Sequence, residues 1–321
     1  MRATPKIVRP IRLLAAGCCI VLLVACSGDP PSLDSAPANP APFTVETPAG
    51  TKIHVIQTGW GSVKQNAFDA TGPGFLRILG MMTGSDFSEW FPVNFYAIER
   101  SGKVLVHDTG ETARILEEGY YRCDAFTEWV VLTNFRFSVA PEFELGPQLE
   151  RLGIDPATVD FAVLSHLHPD HVGGMRYLTG AEFLISRTDS EGHLGAIMCR
   201  IPEWVEPTLV DYAPEPFGAF RESYTIAGDP NLRIVPTPGH TPGHQSLMLR
   251  EQGRYYLFAG DAIVDLQSAE ETRDSGIAAD PDAAEHTHET IRAQLRDFTT
   301  ILAPAHDPGT QDAARYPGHV H

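Results

Sequence analysis

The sequence predicts an α/β chain built as two mixed β-sheets packed face to face with helices on the outer faces, an αββα sandwich. Two observations carry that expectation. Short apolar, β-branched segments recur between turns rich in Gly and Pro, and three longer stretches carry helical character. Two mixed sheets packed face to face with helices outside would bury these segments.

In chain order, the expected strands are 52–57, 93–98, 103–107, 159–164, 182–186, 233–236, 245–249 and 255–258, each rich in Val, Ile, Leu, Phe or Tyr. The expected helices are 111–119, 143–152 and 283–298. A Pro-, Ala- and Ser-rich stretch, 26–45, cannot bury a core and reads as a tether, leaving 46–321 as a single domain.

Chemistry is concentrated just after the strand at 159–164. His166, His168, Asp170 and His171 place four metal-competent side chains within six residues, on a loop that Gly173 and Gly174 close. Imidazole and carboxylate suit zinc and other borderline divalent ions, and no thiol interrupts the cluster. Three further ligand-type residues end strand-like segments: His240 in Thr237-Pro238-Gly239-His240, Asp261 after Phe258-Ala259-Gly260, and His306 after Ile301-Leu302-Ala303-Pro304-Ala305.

Taken in order, these residues resemble the metallo-β-lactamase superfamily over roughly residues 50–310. The resemblance implies one metal on His166, His168 and His240, a second on Asp170, His171 and His306, and Asp261 bridging the two. It also implies a metal-bridging hydroxide as the attacking group, since paired cations lower the pKa of a shared water. The carboxylate at Asp261 sets the chain apart from true β-lactamases, which generally lack one there. His244 is expected behind the ligands, orienting one of them or packing under the site. Asp108, after 103–107, has either the same role or that of capping a turn. His286, His288, His319 and His321 read as solvent-facing.

Within the superfamily, the details look closest to the N-acyl homoserine lactone lactonases. The matching pieces are Phe91-Pro92-Val93-Asn94-Phe95-Tyr96, Gln148 through Asp155, Ile185-Ser186-Arg187-Thr188, and Thr237 through Leu247. That likeness implies ring opening to an acyl hydroxy acid, with Asp170 passing a proton to the departing alkoxide. One position departs from it. Those lactonases usually carry a Tyr three residues after the bridging Asp, and here Val264 stands in its place. Loss of one donor to a developing oxyanion costs about 10²- to 10³-fold in serine-protease examples. The alternatives are a phosphotriesterase or arylesterase of the same superfamily, or an exported metal-binding lipoprotein without turnover.

Four basic residues, Arg2, Lys6, Arg9 and Arg12, precede the apolar run 13–25, which has the layout of a secretory signal and is too short to span a bilayer. Its end, Leu23-Val24-Ala25-Cys26, resembles a bacterial lipobox. The resemblance implies a processed signal peptide at 1–25, lipidation of Cys26, and residence at the periplasmic face of the outer membrane. Fatty-acid labelling that disappears in Cys26→Ala tests this.

Without the signal, 20 Lys and Arg face 41 Asp and Glu, a formal balance of −21. Such a surface repels polyphosphates, which argues against nucleic acid and for a small, neutral or weakly charged ester or lactone. Membrane contact is expected only through the lipid anchor. Cys123 and Cys199 remain as a candidate disulfide pair. Two apolar, loop-like insertions, 67–91 and 126–137, are suited to lining an acyl or aryl pocket, forming a satellite core, or making a homodimer contact.

Overall fold

The computed structural model of the chain describes residues 31–66, 80, 86–117, 119–120, 125–193, 195–266, 269 and 277–311. The expected signal peptide, Cys26, Cys123, His319, His321 and most of the 67–91 insertion lie outside these residues.

The first sheet contains β1 (Phe43–Glu46), β2 (Lys52–Val63), β3 (Phe91–Arg100), β4 (Lys103–His107), β6 (Phe161–Val163), β7 (Glu182–Ser186) and β8 (Thr208–Val210) in that spatial order. β5 (Phe135–Ser138) pairs with the far end of β2. Strands β1 to β4 run antiparallel, and β4, β6, β7 and β8 are parallel. The second sheet has the order β13 (Thr300–Pro304), β12 (Arg254–Gly260), β11 (Gln245–Glu251), β10 (Leu232–Pro236) and β9 (Tyr224–Thr225). It is antiparallel except where β12 meets β13. Both sheets are therefore mixed, as expected.

Period-two alternation divides the apolar side chains between layers. Ile53, Val55, Tyr96, Ile98, Leu105 and Val163 face Ile234, Leu247, Leu249, Tyr256 and Phe258 across the gap between the sheets. The other face of the first sheet, with Ile56, Val93, Phe95 and Val106, packs on Leu145 and Leu149 of α2 (Leu145–Arg151). The other face of the second, with Val235, Met248, Leu257 and Leu302, packs on Ile291 of α5 (Pro281–Asp297). The αββα layering follows directly.

Helix α5 starts where Asp280 accepts a hydrogen bond from Ala283 N (3.1 Å), with Pro281 in the first turn. Its buried stripe is Ala284, Thr287, His288, Ile291 and Gln294. His288 therefore does not face solvent. It is 7% exposed and donates from Nε2 to Ala262 O (2.9 Å), whereas His286 on the opposite face is exposed as expected.

Other expectations also shift. The stretch 126–137 is not loop: it forms α1 (Ala125–Asn134) and β5, and Val130, Val131 and Phe137 are buried. The helix expected at 111–119 is a single 3-10 turn, Ala113–Leu116. The expected tether already contains β1, whose Phe43 and Val45 pack on the inter-sheet core, so the boundary at 45/46 falls inside a strand. Before β1, Trp90 Nε1 donates to Ser35 Oγ (3.1 Å) and Gln57 Nε2 to Asn39 Oδ1 (3.3 Å). Cys199 is disulfide-bonded. Among the described residues, no helix is long and apolar enough to cross a membrane.

Candidate metal centre

Five strands, β4, β6, β10, β12 and β13, end on one side of the sandwich, and the ligand-type residues occupy the turns that follow them. The two sheets are joined at this end by Gln245 N to Ser165 O (3.0 Å) and Asn94 N to Ala305 O (3.0 Å). After β6 the chain runs through His166 and His168 into α3 (Pro169–Val172), a single turn that carries Asp170 and His171.

All seven sequence-derived ligand candidates come together. His240 Nε2 lies 3.2 Å from His166 Nε2 and 3.0 Å from His168 Nδ1. His306 Nε2 lies 3.5 Å from Asp170 Oδ2, and His171 Nε2 lies 3.8 Å from Asp170 Oδ1. Asp261 stands between the groups. Its Oδ2 is 3.3 Å from His240 Nε2 and 4.0 Å from His166 Nε2, while its Oδ1 is 3.3 Å from His171 Nε2 and 3.1 Å from His306 Nε2. Among the described residues, three clusters able to hold a cation result: His166, His168 and His240; Asp170, His171 and His306; and His166, His171 and Asp261.

These contacts fit divalent cations. Two bonds of about 2.0–2.1 Å at a tetrahedral centre separate their donor atoms by about 3.3 Å, close to the observed spacings. His171 Nε2 and Asp261 Oδ1 are both buried without a hydrogen-bond partner, a costly arrangement that a coordinated cation resolves. Burial, reinforced by neighbouring imidazoles, pushes His166 and His168 well below the usual histidine range. Burial also lowers His240, although Asp261 acts the other way. All three are thereby kept as neutral donors.

The ring nitrogens that face away from the centre are held in turn. His171 Nδ1 donates to Asp108 Oδ2 (2.9 Å), His306 Nδ1 to Pro92 O (2.9 Å), and His166 Nδ1 to Ser165 Oγ (2.9 Å). Each bond turns the ring's other nitrogen toward the site. Asp108, 1% exposed, also accepts from Ser165 N (2.7 Å) and Ser165 Oγ (2.9 Å). Its backbone sits at φ 62°, a left-handed conformation that Asp tolerates better than most residues. His244 lies behind Asp261: Asp261 N donates to His244 Nε2 (3.1 Å), and His244 Nδ1 donates to Thr237 Oγ1 (2.9 Å). Burial drives its pKa down to about 3, so the acceptor nitrogen stays available.

Ser165 and Thr237 were not singled out from the sequence. Ser165 was detectable in principle, because it immediately precedes the His166 motif. Val264 is partly buried and follows Asp261-Ala262-Ile263, with no hydroxyl to offer.

A pH dependence of metal uptake follows. Burial opposes charge on His171 and His306, but the carboxylates of Asp261 and Asp170, with Asp108 for His171, outweigh it and raise both above 6.5. A cation must displace these protons. Zinc affinity of the metal-free protein is therefore expected to fall as pH is lowered from 8, beginning above pH 6.5. Competition titrations with a chelator measure this, and an affinity that is flat between pH 8 and 6 contradicts it.

The family model described as the metallo-beta-lactamase superfamily matches residues 88–306. The chain is 28% identical over 241 residues to the N-acyl homoserine lactonase AttM of Rhizobium radiobacter, covering 70% of this chain and 84% of that one. It is 25% identical over 233 residues to the N-acyl homoserine lactonase AiiA of Bacillus thuringiensis subsp. kurstaki, covering 71% and 87%. Among solved structures, an N-acyl homoserine lactone hydrolase with N-hexanoyl-L-homoserine bound at its catalytic metal center shares the fold. Its TM-score is 0.64 at 21% identity, with 81% of this chain and 95% of that one covered. AidC, a dizinc quorum-quenching lactonase, gives 0.59 at 16% identity, with 84% and 91% covered.

Proposed function

The chain belongs to the metallo-β-lactamase superfamily and is a metal-dependent hydrolase, and from that premise we propose that it opens a lactone ring, with N-acyl homoserine lactones as the favoured class. One zinc ion is assigned to His166, His168 and His240 and a second to Asp170, His171 and His306, with Asp261 shared. The observation that carries the two-cation reading is the division of Asp261, one oxygen beside His240 and the other beside His171 and His306. The substrate class is supported by the likeness to AttM and AiiA and by the acidic surface, which does not repel a neutral lactone.

When bound, paired zinc ions supply a deprotonated water near neutral pH and polarise a carbonyl. The chain's own residues do the rest. Asp170, 9% exposed, is assigned to take the proton from the attacking hydroxyl once that oxygen is bonded to the carbonyl carbon and to pass it to the ring oxygen as the carbon–oxygen bond breaks, so that the opened product carries a carboxylate and a hydroxyl. His244, itself held by Thr237, anchors the backbone N–H of Asp261. Asp108, Ser165 and the carbonyl of Pro92 hold three imidazoles in register. Val264, where the resemblance to those lactonases calls for a tyrosine, offers no hydrogen-bond donor to a developing oxyanion.

The test is a substrate panel on the purified zinc-loaded protein, with acid release followed by a pH indicator. Opening of C6 to C12 acyl homoserine lactones is expected. Turnover confined to aryl phosphotriesters or aryl esters overturns the lactonase reading.

A further inference from the structure

The segment after β7 carries an arrangement that the proposed chemistry does not use. Its first turn, α4 (Arg187–Ser190), holds Asp189, which is 1% exposed. Asp189 Oδ1 accepts from Gly243 N (2.7 Å), and Thr241 Oγ1 lies 3.0 Å from Oδ1 and 2.9 Å from Oδ2. Thr241 and Gly243 follow His240 directly, so the carboxylate grips the turn that presents this ligand. At Gly243, an added Cβ would lie 2.5 Å from Asp189 N, so the two turns touch with no room for a side chain.

The same segment also reaches His168. His193 Nε2 lies 3.3 Å from Asp189 Oδ2, and the His193 ring stands edge-on to the His168 ring, with centroids 5.4 Å apart. Two residues on, Gly195 has φ 89°, and a Cβ there would lie 2.7 Å from His168 Nε2. His168 is thereby backed on its Nε2 side, leaving Nδ1 as the atom beside His240. The other ligand group is held from different elements: Asp108 after β4 supports His171, and Pro92 of β3 supports His306.

We propose that Asp189, with His193, is a positioning residue for one cation only, the one assigned to His166, His168 and His240. Its carboxylate ties the His240 turn and the back of His168 to a single rigid point, so that both donors stay converged whether or not a cation is bound. Although burial acts against charge here, hydrogen bonds from His193 and Thr241 hold Asp189 below the ordinary carboxylate range. It therefore remains an acceptor throughout the working pH range. This inference rests on the two-cation reading given above.

Zinc titration of the metal-free protein, together with the absorption spectrum of the cobalt-substituted protein, tests it on Asp189→Asn. This change keeps the shape and one acceptor oxygen but turns an amide donor toward Thr241 or His193. One of the two binding steps is expected to weaken by about 10- to 100-fold, the range found when such supporting partners are removed, while the other stays within about twofold. One component of the cobalt spectrum should change with it. Two steps that weaken together, or neither weakening, overturn the proposal.

If Asp189→Asn does not fold, His193→Gln serves, because this side chain is 8% exposed and does not hold Gly243. It should weaken the same step, and an unchanged step overturns the proposal. The two readings fail differently. A wild-type protein that takes up a single cation removes the two-cation reading, whereas two cations bound alike by wild type and variants remove only the role of Asp189.

Discussion

Asp261→Ala is expected to lower lactone turnover by more than about 10³-fold while leaving the sandwich folded. Among the described residues, Asp261 is the one side chain with an oxygen beside each ligand group: Oδ2 near His240, and Oδ1 near His171 and His306. On the proposed two-cation assignment, its removal takes a shared donor from both sites at once. A metal's stabilisation of transition-state charge amounts to several kcal/mol, and about 4 kcal/mol corresponds to about 10³-fold in rate. The fold should persist, because the side chain is packed on the ligands rather than in any of the three apolar cores. Steady-state kinetics, with far-ultraviolet dichroism as the control, measure this. A folded variant that retains a tenth of the activity contradicts the assignment.

Arg100→Ala should do the reverse, costing stability and leaving the chemistry intact. Arg100 Nε donates to Asp229 Oδ2 (2.8 Å), and Nη1 donates to Glu251 and to Thr51 Oγ1 (3.1 Å). Glu251, whose side chain is 4% exposed, also accepts from Thr47 Oγ1 (2.6 Å) and Thr51 Oγ1 (2.5 Å). Truncation leaves this buried carboxylate with two hydroxyl donors and no cation. Breaking a buried pair on one side costs about 3–5 kcal/mol, and the remaining hydroxyls place the expected loss near about 3 kcal/mol. For a domain of this size, that lowers the melting temperature by about 6–12 °C. Arg100 ends β3 eight residues from Pro92, about 27 Å along the strand from the His306 anchor. Turnover at 25 °C should therefore stay within about twofold. A melting temperature within 2 °C of wild type, or a parallel collapse of activity, rules this account out.

The candidate ligands stood out in the sequence because each lies in the turn that follows a strand: His166 to His171 after β6, His240 after β10, Asp261 after β12 and His306 after β13. The two sheets and their mixed character were legible for the same reason, since most strands are continuous apolar runs between turns. What escaped depends on contacts distant in the chain. β5 exists because Phe135–Ser138 find the end of β2 some seventy residues earlier, and the helix before it was hidden inside an apolar run that resembled an insertion. β1 is four residues at the end of a Pro-rich stretch and is held by pairing with β2.

His288 was misplaced although a signal was present. Counted on helical spacing, 284, 287, 288 and 291 form one stripe, and His286 lies off it. Asp189 had no such signal. It follows Arg187-Thr188 by one position, but its partners Thr241 and Gly243 lie more than fifty residues away, and only the folded chain brings them together.

Elemental analysis of the purified full-length protein, exchanged into metal-free buffer and reloaded with zinc, tests the central claim most directly. Two equivalents per chain are predicted, falling to one or fewer in Asp261→Ala. One equivalent in the wild-type protein, unchanged by that substitution, would contradict a shared carboxylate between two cations.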